Sequence, residues 1–148
     1  MLKRIAQKGY YSFHEKFDNW QDAIKASVEP LIQSNVVNPE YAQSIINCIN
    51  EYGPYVVIAP NICIPHAEDK DNVNKTEIAF MKTDIPVNFS DDPEQAVQLF
   101  FVLASNNEEK HLENLRNLMK MMMNEDLMES LAKVSGEEEF LSIVDQLA

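Results

Sequence analysis

Apolar positions along this chain change spacing twice, and the changes divide it into a helical stretch, a strand-rich middle and a helical end. Trp20, Ile24, Ser27/Val28 and Leu31 recur three or four apart, the period of one helix face. Asp18 followed by Gln21 has the form of a capping box, so a helix over about 19–33 is predicted. Asn38-Pro39 sets a capping side chain before a proline at the first helical position. Tyr41, Ile45, Ile49 and Tyr52 then form an apolar stripe, which Gly53-Pro54 ends.

The middle reads differently. Tyr55-Val-Val-Ile-Ala59 is a short β-branched run between prolines, and Asn61-Ile-Cys-Ile64 follows it. Thr76–Met81 and Val97–Leu103 are further strand candidates, the last almost wholly apolar, as a strand buried on both faces must be. Pro86 to Pro93 reads as a polar, acidic connection. Beyond it, Ser105-Asn-Asn-Glu108 has capping-box form and opens a helix with Leu112, Leu115, Leu118/Met119 and Met122 on one face. Asn124 and Ser135 can cap two more helices, carrying Leu127, Met128, Leu131 and then Phe140, Ile143, Val144, Leu147. These elements predict an α/β fold: a three-layer α/β/α sandwich with a mixed, mostly parallel sheet of about five strands flanked by helices. One domain over residues 1–148 is expected. The pattern leaves the strand order open.

Composition narrows the partners. A net charge of −12, from 24 acids against 12 bases, repels nucleic-acid phosphates and suits a partner with a basic or neutral face. No apolar run is long enough to span a bilayer. Lys3, Arg4 and Lys8 have no apolar core behind them, so a signal peptide is not expected and a cytoplasmic location is. Cys48 and Cys63 match neither a C-x-x-C pair nor a zinc spacing, and read as small hydrophobes.

Histidine is the side chain that ordinarily titrates near neutrality, and the chain has three. His14, in Tyr10-Tyr11-Ser12-Phe13-His14, reads as structural or solvated. His66 follows Ile64-Pro65, where the proline ring stiffens the end of an apolar strand, and strand ends are where open α/β sheets bind ligands. His111 lies in the first turns of the helix after Ser105, where backbone N–H groups and the dipole favour an anion. From the residues alone, a structural histidine is the commoner reading at both positions. Nucleotide-binding glycine motifs and a G-x-S-x-G elbow are missing. No ligand spacing supports a metal held by His66, His111 and Asp69. The Met119–Met123 cluster reads as gap-filling core.

Ile62-Cys63-Ile64-Pro65-His66-Ala67 resembles the G-[IV]-A-[IVL]-P-H-[AG] phosphorylation motif of mannitol/fructose-type IIA domains of the bacterial sugar phosphotransferase system. Val97–Ala104 followed by His111-Leu112-Glu-Asn-Leu115 is similar to that family's later strand and the helix bearing its second histidine. The two histidines stand 45 residues apart, close to the family separation. The likeness covers about residues 18–146, and Glu51–Pro60 is most similar to the ascorbate-type members. Three departures stand out. No Lys or Arg occurs from Ala26 through Asp69, where mannitol-type domains carry an arginine near the position of Asn50. Asn61 and Cys63 replace the small residues of the motif, and the usual opening segment is short.

The resemblance implies a phosphohistidine carrier. His66 would accept a phosphoryl group from HPr and pass it to a cysteine of a IIB component, with His111 donating to the phosphoryl oxygens and Nε2 of His66 as the nucleophile. Glu51, Tyr52 and Tyr55 would be at most supporting. No cofactor or metal is implied, and the sugar, ascorbate by likeness, would not touch this chain. A regulatory IIA domain of the nitrogen-related type and a plain interaction module with structural histidines are the alternatives.

Overall fold

The computed structural model describes residues 1–147, in which the most apolar run becomes the middle of a five-stranded sheet. In chain order the elements are α1 (Leu2–Lys8), β1 (Tyr11–His14), α2 (Trp20–Gln33), α3 (Glu40–Tyr52), β2 (Val57–Ala59), β3 (Asn61–Cys63), β4 (Glu77–Asn88), β5 (Ala96–Ala104), α4 (Glu108–Met122), α5 (Glu125–Lys133) and α6 (Glu137–Gln146). The strand order is β1-β4-β5-β3-β2. The β1–β4 and β3–β5 ladders are parallel, and β4–β5 and β2–β3 are antiparallel. The sheet is therefore mixed, as predicted, but parallel ladders are half of the total instead of most of it. The reason is chain length: a parallel neighbour needs a crossover of about a dozen residues or more, and only 89–95 separate β4 from β5.

Both faces of the sheet are covered. Phe80 on β4 pairs with Phe101 on β5, and α6 lays Phe140 over them, 5.3 Å from the Phe80 ring centroid. On the other face Phe100 meets Phe89, which stacks on Trp20 of α2 at 5.8 Å. Side chains alternate across a strand, so consecutive phenylalanines at 100 and 101 glue opposite helical layers. α3 packs beside α2, while α1 and α5 flank α6 and α4 joins α5. Among the described residues no helix is long and apolar enough to cross a membrane.

Several local expectations change. The N-cap of α2 is Asn19, whose side chain accepts from the Asp22 N–H at 2.8 Å, in place of Asp18. Likewise Asn107, not Ser105, caps α4. Asn124 caps α5 as expected, but Ser135 does not cap α6: the N-cap is Gly136, without a side-chain cap, and Ser135 donates its N–H and hydroxyl to Glu139. The Pro86–Pro93 segment is not wholly a connection, since β4 continues to Asn88. Its ladder slips between Lys82 and Val87, and the Gln98 amide fills the gap by donating to the Thr83 and Asp84 carbonyls. Asp84, Ile85 and Pro86 are exposed there, which erases the apolar signature of a strand and tolerates the proline. α1 and β1 were not predicted. β1 is a four-residue edge strand held by its partner β4 and by Tyr11 and Phe13 against Phe140. Core packing of the methionine cluster holds only in part: Met121 and Met122 pack partly buried, whereas Met119 is 50% and Met123 83% exposed.

Two substitutions should separate packing from capping in urea denaturation followed by circular dichroism. Phe140→Ala is expected to cost about 3–5 kcal/mol, since it empties the layer between α6 and the sheet. Asn124→Ala is expected to cost about 1 kcal/mol through the lost cap.

Candidate functional site

β3 is short, but its pairing outlasts it. The Ile64 N–H donates to the Val56 carbonyl at 2.8 Å, and the Leu103 N–H donates to the Pro65 carbonyl at 3.0 Å. Proline has no N–H to give, yet its carbonyl completes the ladder to β5. His66 is the first residue past this rail. It is half-buried, in contrast to the buried run Ile62–Pro65.

Its ring is anchored locally. His66 Nδ1 lies 2.6 Å from the Ile64 carbonyl oxygen. A carbonyl only accepts, so Nδ1 carries the proton and Nε2 holds the free lone pair. Tyr55 stands edge-on to the imidazole, with centroids 5.2 Å apart at 87°, and its hydroxyl donates to the His66 carbonyl. Burial pushes the Tyr55 phenol upward, so this donor keeps its proton.

His111 is fastened to the neighbouring strand end. β5 finishes at Ala104, and the next residue, Ser105, places Oγ 2.8 Å from His111 Nδ1. A hydroxyl can donate to or accept from a ring nitrogen, and in the tautomer where Ser105 donates, Nε2 of His111 carries the ring's outward N–H. Tyr41 of α3 joins the two strand ends: its buried hydroxyl donates to the Leu103 carbonyl at 2.6 Å and accepts the Ala67 N–H at 3.2 Å. The two candidate histidines are thus rooted at adjacent parallel strand ends, connected through Pro65, Leu103 and Tyr41.

Other candidates separate from this cluster. His14 lies on β1, beyond β4 and β5, against Phe17, and burial lowers its pKa. Asp69 is taken by Ser44 and Asn72, and no group of metal-ligating side chains occurs among the described residues. Glu51 and Asn50 are exposed, and Tyr52 is 71% exposed at the end of α3. Leu112, beside His111, is 59% exposed although the helical pattern assigned it to the core. Cys63 is buried and free, and Cys48 is free and half-buried.

Two contributors escaped the sequence reading. Tyr41 looked like one apolar member of a stripe, and Ser105 like a helix cap. A buried tyrosine needs a partner for its hydroxyl, which was the available signal for the first. The second becomes visible only once Asn107 has taken the cap.

This arrangement has counterparts. The family model described as "Phosphoenolpyruvate-dependent sugar phosphotransferase system, EIIA 2" matches residues 4–147. The chain belongs to that family. This EIIA chain is 28% identical over 143 residues to the ascorbate-specific PTS system EIIA component of Shigella boydii serotype 4, covering 96% of this chain and 93% of that one. A crystal structure from Streptococcus pyogenes M1 GAS, described as a PTS IIA domain, superposes with a TM-score of 0.84 at 27% identity, over 99% of this chain and 94% of that one. The mannitol enzyme IIA in complex with phosphorylated enzyme IIB from Escherichia coli gives a TM-score of 0.77 at 25% identity, over 92% of this chain and 94% of that one. A phosphotransferase-system role follows from membership.

Tyr41 also sets an alkaline limit on the EIIA fold. Burial pushes its pKa up to about 12, against about 10 for an unfolded tyrosine. The folded state binds this proton more tightly, so its contribution is complete below about pH 10 and is lost as pH rises toward 12. Tyr41→Phe should be less stable than the parent at pH 8, and that difference should narrow between about pH 10 and 12 in urea titrations.

Proposed function

We propose that this chain is a phosphohistidine carrier acting as one domain over residues 1–148: His66 accepts a phosphoryl group from phosphorylated HPr and passes it to a cysteine of a IIB component. The observation that carries this reading is the Nδ1 contact to the Ile64 carbonyl, which leaves Nε2 as a lone pair at the end of a rigid strand. In the first half-reaction that lone pair forms a bond to phosphorus while the donor histidine's N–P bond breaks. The ring gains positive charge as the new bond forms, and the Ile64 carbonyl stabilises it through the retained Nδ1 proton. In the second half-reaction a thiolate attacks the same phosphorus, and the His66 N–P bond breaks and returns its electron pair to Nε2.

Such transfers pass through a loose transition state in which the protein mainly positions groups and stabilises equatorial oxygens. His111, held by Ser105, is the donor we assign to those oxygens. The curated relatives named for ascorbate support that sugar as the cargo of the system, while the sugar itself touches only the membrane component. A IIA–IIB complex among the structural neighbours supports the acceptor. The net charge of −12 steers partners with basic faces, and no nucleic acid, cofactor or membrane insertion enters the reading. Action in the cytoplasm fits it.

Incubation with phosphoenolpyruvate, enzyme I and HPr, followed by intact mass and peptide mapping at alkaline pH, is expected to show one acid-labile phosphoryl group on His66. Absence of label while HPr is fully phosphorylated would remove the carrier reading. His66→Ala should abolish acceptance, whereas His111→Ala should retain it in part and slow transfer to IIB by about a hundredfold. A competent label that never moves to the cognate IIB would turn the reading to a regulatory role.

A further inference from the structure

Four consecutive hydrogen bonds immobilise the backbone around His66. The Ile64 carbonyl takes the histidine's own Nδ1–H, and the Pro65 carbonyl takes the Leu103 N–H. The next two bonds fall on a single peptide unit. Its oxygen, the His66 carbonyl, accepts from the Tyr55 hydroxyl, and its N–H, that of Ala67, donates to the Tyr41 hydroxyl at 3.2 Å. Both polar ends of the His66–Ala67 peptide are therefore gripped by phenols arriving from different parts of the chain.

The two tyrosines differ in how firmly they are fixed. Tyr41 is 1% exposed, and its hydroxyl is used twice, since it also donates to the Leu103 carbonyl. Tyr55 is half-buried and adds a wall by standing edge-on to the imidazole. Along α3, Tyr41, Ser44 and Cys48 are spaced three and four apart and share a face. That face meets the segment after His66 at two points: Tyr41 at Ala67 and Ser44 at Asp69.

A peptide plane held at both ends fixes the backbone torsion that follows the histidine Cα, and the tyrosine ring restricts the imidazole's own rotation. Aligning a nucleophile with phosphorus depends on both. We infer that Tyr55 and Tyr41 are positioning residues that clamp the His66–Ala67 peptide and so aim Nε2. This inference rests on His66 being the phosphoryl acceptor. It assigns neither tyrosine to contact with the phosphoryl group, and it gives the hydroxyls a role that phenylalanine cannot fill. It also explains a helix stripe that begins with a buried phenol: the Tyr41 ring fills the core while its hydroxyl reaches the strand ends.

The test uses the full-length chain and three variants, Tyr55→Phe, Tyr55→Leu and Tyr41→Phe, each checked for folding by circular dichroism and thermal melting. Two readouts are taken: the rate of phosphoryl acceptance from phosphorylated HPr, and the ring-nitrogen NMR signature of His66. The parent is expected to show one neutral tautomer, protonated at Nδ1. Tyr55→Phe keeps the wall and loses one hydrogen bond, so acceptance should fall roughly tenfold. Tyr55→Leu removes both, so acceptance should fall roughly a hundredfold and the His66 signals should move toward a mixture of tautomers. Tyr41→Phe should slow acceptance in the same direction and lower the melting temperature. Folded Tyr55 variants that keep the parent's rate within about twofold, well inside the loss one hydrogen bond predicts, and keep its tautomer signature would overturn the inference. A parent chain that takes no phosphoryl group would instead remove the carrier reading, and the tautomer signature alone would then decide whether Tyr55 holds the ring.

Discussion

The Leu103 N–H to Pro65 carbonyl bond, 3.0 Å long, is the joint on which the site depends. It continues the parallel β3–β5 ladder past Cys63, the last residue of β3, and makes two strand ends finish level. His66 leaves one of them and Ser105, which holds His111, leaves the other. Without that register the two imidazoles would belong to separate loops. The bond is itself protected: Leu103 is buried and Pro65 is buried, so no water competes for either group.

The register demands much of the sheet around it. Leu99 through Ala104 are buried without interruption, which requires a helical layer on each face. Phe101, Phe80 and Phe140 form the contact on one side, and Phe100, Phe89 and Trp20 on the other. A ladder embedded between two packed layers cannot slip by one residue, because every side chain would change face. The stiffness of the strand ends is therefore a product of the core and not of the residues at the ends themselves.

Rigidity of this kind suits the proposed phosphoryl exchange between proteins. On that reading a half-buried imidazole with one nitrogen tied to the Ile64 carbonyl presents its other nitrogen to the partner. The exposed Leu112 beside His111 and the surplus of acids over bases are surface properties that bear on encounter, and neither disturbs the buried network of Tyr41, Leu103 and Ala67. Family membership rests on sequence likeness over residues 4–147, whereas the carrier role proposed for His66 rests on hydrogen bonding at individual atoms.

The chain by itself determined the elements whose signals are local and long: α2, α3, the three C-terminal helices, and the apolar core of β5. The Ile64-Pro65-His66 stiff point was legible too, because proline acts on its own neighbours. Left to the tertiary structure were β1, which exists only as an edge on β4, the outer half of β4, whose exposed residues look like a loop, and the equal mix of ladder directions. The hydroxyl roles of Tyr41, Tyr55 and Ser105 were also decided there. A helix stripe records that a side chain is buried, by its period. It does not record where one oxygen at the tip of that side chain finds its partner, since Leu103 lies 62 residues from Tyr41 along the chain and only the packed sheet brings them within a hydrogen bond.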